Sequence, residues 1–486
     1  MRRARFALCL LLLAGLNALA LGQVEKPAFD RAIDAYDSGN FTEAKRLFLQ
    51  ALDEQPEHPV IMCWVGSAAL QNGEFEEAEK YLLAALNKKP QYPEAHNNLG
   101  NTYLAQNKLD LAVGQYKQAL EQQADYADAQ YNLANAYARG QNWELAFAAF
   151  NRAVTLAPDD ADVRVNFGHA LWQAGQPDKA IREYEAAATM RPGDAGVLNA
   201  LGMLYLDRQD NVKAAEYYTQ AVAAQPGLAA AQLGLGIAYY NLNKYTEATG
   251  ALSAAAQLDG TSFAARYNLG LAAAAAGDLA AAEKAYRDAL ALQPDHARCL
   301  NNLGWVLQQT NRPTDAVEPL QKAVAAEPTL AMAQINLALA YEGAGNAEAA
   351  RQQWLQTATS FPDNAHAHFG LANSYYSTQE KDNALQEYLR ALAIDNNNAE
   401  AHNNAGLIYL EQSKFPEAAD HFRTALEQKP AFANAANNQG VALERQGKYA
   451  EAKQLYEKAL QIDADCQPAK TNLQRLKALG TTTGTG

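Results

Sequence analysis

One stretch of this chain returns almost unchanged far along the sequence. Residues 93–126 read PEAHNNLGNTYLAQNKLDLAVGQYKQALEQQADY, and residues 399–432 read AEAHNNAGLIYLEQSKFPEAADHFRTALEQKPAF. The two stretches begin 306 residues apart, which is nine times 34. A chain of 486 residues is too long for a single globular core, but a stacked array grows by addition and needs no such core. The sequence therefore predicts a repeat array with a period of 34 residues.

Prolines mark this period along most of the chain. Nine of them share one lattice of 34 residues, at positions 56, 90, 158, 192, 226, 294, 328, 362 and 430. Thirteen uninterrupted repeats follow: 25–58, 59–92, 93–126, 127–160, 161–194, 195–228, 229–262, 263–296, 297–330, 331–364, 365–398, 399–432 and 433–466. The absence of insertions within the array leaves no room there for a separate catalytic domain.

Positions within each repeat are numbered 1 to 34 from the first residue of the repeat. Position 20 is alanine in all thirteen repeats, and position 8 is glycine or alanine throughout. Glycine inside a helix costs about 1 kcal/mol relative to alanine, so position 8 predicts close approach of two helix backbones. Large residues at position 24, such as Tyr116 and Phe422, are expected to fill the space beside it. Glycine or asparagine at position 15 and the lattice prolines predict helix, tight turn, helix.

This pattern, with proline at position 32 and alanine at position 27, resembles the tetratricopeptide repeat family over about nine-tenths of the chain. The resemblance implies an all-α fold, a right-handed superhelical solenoid of about thirteen helix-turn-helix repeats. It also implies that the first helix of each pair lines a concave groove. Residues 467–480 are predicted to form a C-terminal capping helix, and residues 481–486 a disordered tail.

The first 22 residues differ from the repeats. Arg2, Arg3 and Arg5 precede an apolar run over residues 6–21, and Ala18 and Ala20 offer a small-residue cleavage pattern. This arrangement predicts a signal peptide over residues 1–22 and export to the periplasm or another extracytoplasmic space. The alternative is an uncleaved N-terminal anchor in the inner membrane, although 16 apolar residues are fewer than the roughly 20 that span a bilayer.

The net charge limits the classes of partner, and the cysteine spacing argues against disulfides and a metal site. The net charge is −14, and removal of the three arginines with residues 1–22 makes it −17. Such a chain repels phosphate backbones, which argues against nucleic acid and favours a basic or neutral protein or peptide ligand. Beyond residue 22, Cys63, Cys299 and Cys466 are too scattered for a disulfide framework or a metal site, so we expect them to be buried.

Asparagines recur on the predicted inner helix. They occupy position 6 in eight repeats, at Asn98, Asn132, Asn166, Asn268, Asn302, Asn336, Asn404 and Asn438. The neighbours Asn97, Asn101 and Asn135 add further amides. The set resembles the asparagine ladder in the repeat domain of polypeptide N-acetylglucosaminyltransferases, which implies binding of extended peptide backbones. A carboxamide both donates and accepts, so the same side chains could instead bond within or between repeats, and both interpretations stay open.

The middle repeats are more apolar at positions 5, 9 and 12, where Trp172 and Trp305 are candidate groove residues. Asparagine-rich ends around an apolar middle favour a peptide or helix as ligand. The clamp that binds carboxylates in some relatives needs lysine or arginine beside its asparagines. We expect none beside Asn97, Asn98 and Asn101, so that clamp is predicted to be absent.

No set of residues in the sequence combines a nucleophile, a base and an orienting group, and the sequence predicts no cofactor or metal. The leading interpretation is a non-enzymatic scaffold that binds protein segments, in assembly of a cell-envelope complex. A first alternative is a substrate-recruiting subunit of a separately encoded transferase or of a polysaccharide synthase or secretion machine. A second alternative is a structural array in which copies of the chain associate with one another.

Overall fold

A computed structural model describes residues 26–482, and these residues form 27 helices and no strands. The predicted all-α repeat fold is therefore confirmed. The predicted signal peptide, residues 1–22, lies outside the described residues, as do residues 483–486 of the predicted tail. The last helix contains the predicted cap, residues 467–480, and continues to Thr482.

The chain divides into two compact units, Met1–Leu204 and Tyr205–Gly486, with the boundary inside helix α11. The helices that begin in the first unit are α1 (Ala28–Asp37), α2 (Phe41–Glu54), α3 (Pro59–Gln71), α4 (Phe75–Lys88), α5 (Pro93–Ala105), α6 (Leu109–Gln122), α7 (Ala127–Arg139), α8 (Trp143–Leu156), α9 (Ala161–Gln173), α10 (Pro177–Met190) and α11 (Ala195–Asp207).

The second unit continues the alternation of first and second helices. Its helices are α12 (Asn211–Ala224), α13 (Ala229–Asn241), α14 (Tyr245–Leu258), α15 (Phe263–Ala275), α16 (Leu279–Leu290), α17 (Ala297–Gln309), α18 (Pro313–Ala326), α19 (Ala331–Gly343), α20 (Ala347–Ser360), α21 (Ala365–Ser377), α22 (Lys381–Ile394), α23 (Ala399–Glu411), α24 (Phe415–Gln428), α25 (Ala433–Arg445), α26 (Tyr449–Ile462) and α27 (Gln467–Thr482).

The tight turn inside each repeat rests on position 15. In the third repeat, Asn107 has a φ of 60° and its amide donates to the Leu104 carbonyl at 3.1 Å. The next amide, of Lys108, donates to the Tyr103 carbonyl at 2.8 Å. These bonds satisfy the carbonyls left free at the end of α5, and the left-handed residue reverses the chain into α6. Gly73, with a φ of 77°, does the same one repeat earlier.

The core of each pair forms between positions 8 and 24. A Cβ atom on Gly100 would lie 2.5 Å from Cε1 of Tyr116, and one on Gly406 would lie 2.8 Å from Cε1 of Phe422. Both rings are fully buried. The sequence predicts contact between helix backbones at these glycines, but the nearest atoms belong to the ring at position 24. Glycine is needed because the ring occupies the space of a Cβ.

Cys63, Cys299 and Cys466 are free and buried, which confirms their prediction as small core residues. Burial raises the pKa of the Cys63 thiol to about 11 and that of Cys299 to about 12. Both thiols are therefore protonated and unreactive near neutral pH. Within residues 26–482, no helix combines the length and the apolar character that crossing a bilayer requires.

Candidate binding surface

The first helices of successive repeats face one another within each unit. Helix α5 contacts α3 and α7, and α17 contacts α19, whereas second helices of successive repeats contact each other less. The pairs therefore approach most closely on the side of the first helices. We call that side the inner face and the side of the second helices the outer face.

Asparagines at position 6 donate hydrogen bonds across the inner face to the preceding repeat. The Nδ2 atom of Asn132 lies 2.9 Å from Oδ1 of Asn97. The same bond joins Asn336 to Asn301 at 2.9 Å, Asn438 to Asn403 at 3.1 Å and Asn472 of α27 to Asn437 at 2.9 Å. The acceptors occupy position 5 and are buried. They therefore depend on the donor, because a buried unpaired amide oxygen is costly.

Where position 5 of the preceding repeat is not asparagine, the position 6 amide usually bonds the side chain at position 5 or position 9 of that repeat. Asn98 donates to Ser67 Oγ at 2.8 Å, Asn166 to Tyr131 Oη at 2.6 Å, Asn302 to Tyr267 Oη at 3.5 Å and Asn404 to Asn373 Oδ1 at 3.4 Å. Asn268 differs, because its amide donates to the Ala264 carbonyl of its own helix at 2.8 Å. These contacts favour the interpretation in which the ladder joins repeats.

In the first unit, the inner face contains a shallow depression. It is lined by Leu70, Gln71, Phe75, Asn101, Leu104, Ala105, Asn132 and Arg139. Asn101 accepts a hydrogen bond of 2.8 Å from the Tyr116 hydroxyl, and Arg139 donates to the Leu104 carbonyl at 3.2 Å. The expectation that no basic residue lies beside Asn101 is therefore wrong. Arg139 reaches the depression from the following repeat, a relation that spacing within one repeat does not show.

Two other predicted residues of the first unit also lie on its inner face. Asn135 is half-buried and lies near Tyr131, the residue to which Asn166 donates. Trp172 is half-buried, with its ring 6.1 Å from that of His169. The amides and the indole are thus distributed over successive repeats and are not gathered into one pocket.

In the second unit, large apolar side chains are exposed on the inner face. Trp305 on α17 is 39% exposed, and Met332 and Leu339 on α19 are 54% and 36% exposed. Helices α13, α15, α17 and α21 contain no aspartate or glutamate, and α19 contains only Glu342. Trp354 donates to Glu342 at 2.7 Å, and burial raises the pKa of Glu342. We call Trp305, Met332 and Leu339 the apolar strip.

The histidines at position 4 connect each loop to the following helix pair. His96 lies 2.7 Å from Gln115 Oε1 and 3.2 Å from the Pro90 carbonyl. His402 repeats this arrangement, with its Nδ1 3.0 Å from Nδ1 of His421 and its Nε2 3.2 Å from the Asn396 carbonyl. Among the described residues, no group of three or more potential ligands could hold a metal ion.

Comparison with protein families gives matches along most of the array. A tetratricopeptide repeat model matches residues 29–94, 97–161 and 403–465, and a second model, described as TPR repeat, matches residues 372–413. A model of the C-terminal domain of cilia and flagella-associated protein 70 matches residues 153–368. A comparison with curated proteins finds no match.

The chain is also similar to several solved structures. YrrB, described as a TPR protein with an unusual peptide-binding site, is 25% identical, with coverage of 38% of this chain and 95% of that chain and a TM-score of 0.33. The Cut9–Hcn1 hetero-tetramer of APC/C is 17% identical, with coverage of 85% of this chain and 95% of that chain and a TM-score of 0.41. Yeast Tom70 is 15% identical, with coverage of 89% of this chain and 98% of that chain and a TM-score of 0.37.

Proposed function

The chain is a tetratricopeptide repeat protein, and from this premise we propose that it binds segments of other proteins along the inner faces of its two units. It acts as a non-enzymatic scaffold in this proposal. The fold supports a protein-interaction role, since stacked helix pairs present extended surfaces made of many repeats.

The observation that carries the proposal is the apolar strip. Trp305, Met332 and Leu339 come from two adjacent first helices, and each exposes more than a third of its surface. An exposed tryptophan lowers the solubility of the chain, whereas a tryptophan that a partner covers contributes strongly to the free energy of binding. Exposed apolar residues clustered on adjacent helices therefore suit a docking site.

The charges of the inner face suggest the chemistry of the partner. In the first unit, Glu94 and Asp128 occupy position 2 of successive repeats. At the same position beside the apolar strip the chain has exposed Arg298. A neutral apolar segment suits the strip, and a polar or basic segment suits the first unit. This division agrees with the preference for basic or neutral partners that the net charge of −14 suggests.

The depression around Asn101 and Asn132 is the second contact region in the proposal. Gln71 and Arg139 add donors to its lining, and Leu70 and Leu104 add apolar surface. Such a mixture suits an extended peptide, because amides can bond any backbone while the leucines can contact one of its side chains. The asparagines bonded between repeats hold this surface in register for the ligand.

Export is a further part of the proposal and rests on Arg2, Arg3 and Arg5 before the apolar run. In this account the scaffold works in assembly of a cell-envelope complex. A reporter enzyme that is active only outside the cytoplasm, fused after Gln23, should be active. A reporter that stays inactive, while the same fusion behind an established signal is active, would remove export from the proposal.

Affinity capture tests the binding proposal. The wild-type chain and Trp305→Ala are immobilised at equal density and exposed to extract of the source cells. Tyr449→Ala is the matched control, because Tyr449 is 57% exposed at the start of the second helix α26. We expect a protein retained by the wild type and by Tyr449→Ala, and at least about tenfold less of it on Trp305→Ala. Equal retention by all three chains would contradict the proposal.

A further inference from the structure

An apolar cleft opens on the outer face of the second unit, between α20 and α22. Its volume is about 440 Å³, within the range of about 300–1,000 Å³ typical of ligand pockets. Its walls include Leu355, Ala358, Leu371, Ala393 and Ile394. Leu355 and Ile394 are 48% and 41% exposed, so the mouth of the cleft includes apolar surface.

Equivalent junctions in two other repeats have a hydrogen bond that this one lacks. Position 30 is glutamine in two other repeats that carry a histidine at position 4. Gln122 donates to the Pro90 carbonyl at 3.1 Å, and Gln428 donates to the Asn396 carbonyl at 2.5 Å. Each glutamine thus bridges its helix to the preceding loop. Ile394 occupies position 30 of the intervening repeat and has no donor for the Pro362 carbonyl, so that bridge is missing.

The floor of the cleft holds a buried hydrogen-bonded pair, His368 and Glu387, and its rim holds an arginine. Glu387 Oε2 lies 2.5 Å from His368 Nδ1, and both residues are more than nine-tenths buried. The other oxygen of Glu387 accepts from Arg390 at 2.6 Å. The Arg390 side chain is 54% exposed, and a guanidinium has five N–H donors, so donors remain beyond the one that bonds Glu387.

We propose that this cleft binds a segment of a partner protein that presents an apolar side chain next to a carboxylate. The apolar side chain enters between Leu355 and Ile394, and the carboxylate pairs with Arg390. Charge complementarity carries the choice of a carboxylate, because both oxygens of Glu387 already have partners while the guanidinium retains donors. The site lies on the outer face, so its test is independent of the proposal for the inner face.

Methyl NMR of the full chain labelled at isoleucine δ1 tests the site, with Ile394 as reporter. The probes are N-acetyl-leucine, which has the apolar side chain and the carboxylate, and N-acetyl-leucinamide, which lacks the charge. We expect a saturable shift of the Ile394 methyl signal with both probes. Binding of the acid should be tighter by about two- to fivefold, the range of a partly exposed ion pair.

Two variants make the test specific. Arg390→Gln places the residue found at the equivalent Gln118 and should abolish the preference for the acid while both probes still bind. Ile394→Gln restores the bridge seen at Gln122 and Gln428, so it should fold normally and close the cleft. Its binding is followed by isothermal titration, because the reporter methyl is lost, and should fall at least tenfold.

Three results would overturn the proposal. The first is no shift of Ile394 at millimolar probe, and the second is equal binding of acid and amide by the wild-type chain. The third is self-association of the wild type that Ile394→Gln abolishes, measured by sedimentation over a range of concentrations. That result would show a second copy of this chain as the occupant in place of a partner segment.

Discussion

The side-chain amide of Asn132 donates a hydrogen bond of 2.9 Å to the side-chain oxygen of Asn97, 35 residues earlier in the chain. Asn97 is 5% exposed, so water does not readily replace this donor. The bond joins first helices of successive repeats, and the stability of a repeat array depends on such contacts between neighbours. The asparagine at position 6 is therefore part of the structure that holds the inner face in register.

Removal of this amide should destabilise the first unit. We expect Asn132→Ala to lower the free energy of unfolding by about 1–3 kcal/mol, because the buried Asn97 oxygen loses its donor. Urea unfolding followed by circular dichroism measures the change. Asn268→Ala is the matched control, since Asn268 donates to Ala264 of its own helix. It should change stability by less than about 0.5 kcal/mol. Equal losses in both variants would show that the bond between repeats is unimportant.

Glycines of adjacent helices should respond in opposite directions to the same substitution. Gly100→Ala places a Cβ 2.5 Å from the buried Tyr116 ring, and we expect a net loss of about 1–2 kcal/mol from overpacking. Gly114 lies in α6, and a Cβ there would meet nothing within 4 Å. Gly114→Ala should therefore stabilise the chain by up to about 1 kcal/mol through helix propensity. Thermal unfolding of both variants checks the signs, and stabilisation by both would contradict the packing account.

The pair of His402 and His421 should make the second unit sensitive to acid. His402 Nε2 faces the Asn396 carbonyl and must carry a proton, so in the neutral pair its Nδ1 accepts from Nδ1–H of His421 at 3.0 Å. Burial, with a smaller effect from His402, lowers the pKa of His421 to about 4. The unfolded chain then binds more protons than the folded chain between about pH 6.5 and pH 4, and stability falls as the pH falls through that window.

His421→Gln reproduces the pair that His96 makes with Gln115 and should remove part of this sensitivity. His421 remains partly exposed, so solvent screening reduces the expected effect to about 1 kcal/mol between pH 7 and pH 5. The measurement is the thermal unfolding midpoint of wild type and variant at both values. Nearby Asp420 opposes the shift, and its charge is unchanged in the variant. An identical drop in the two proteins would contradict the role assigned to His421.

The sequence predicts the helix pairs well because several local signals agree at each repeat. Alanine at position 20, a turn residue such as Asn107 at position 15 and a large residue such as Tyr116 at position 24 all specify the same helix, turn and helix. The partners across repeats follow less directly. Position 6 bonds position 5 of the preceding repeat, as Asn132 bonds Asn97. This pairing can be recognised only once the stacking of the helix pairs is known.

Two features of the surface could not be predicted from the sequence for the same reason. Arg139 enters the depression from the following repeat, so spacing within one repeat did not place it beside Asn101. The outer cleft lies where Ile394 stands in place of a bridging glutamine, and the hydrogen bond that a glutamine makes there is visible only from Gln122 and Gln428. The sequence does contain a signal for the hydrogen bonds between repeats. An asparagine pair such as Asn97 and Asn98 is followed by an asparagine at position 6 of the next repeat, here Asn132.

Site-specific photo-cross-linking tests the central claim most directly, that the inner face takes the partner. Benzoylphenylalanine is placed at Met332 of the apolar strip in one chain and at Tyr449 of the outer face in another, both positions being more than half exposed. After irradiation in the source cells, we expect a discrete adduct from position 332 that Trp305→Ala weakens, and none of that mass from position 449. An adduct from position 449 alone, or equal adducts from both positions, would contradict the account.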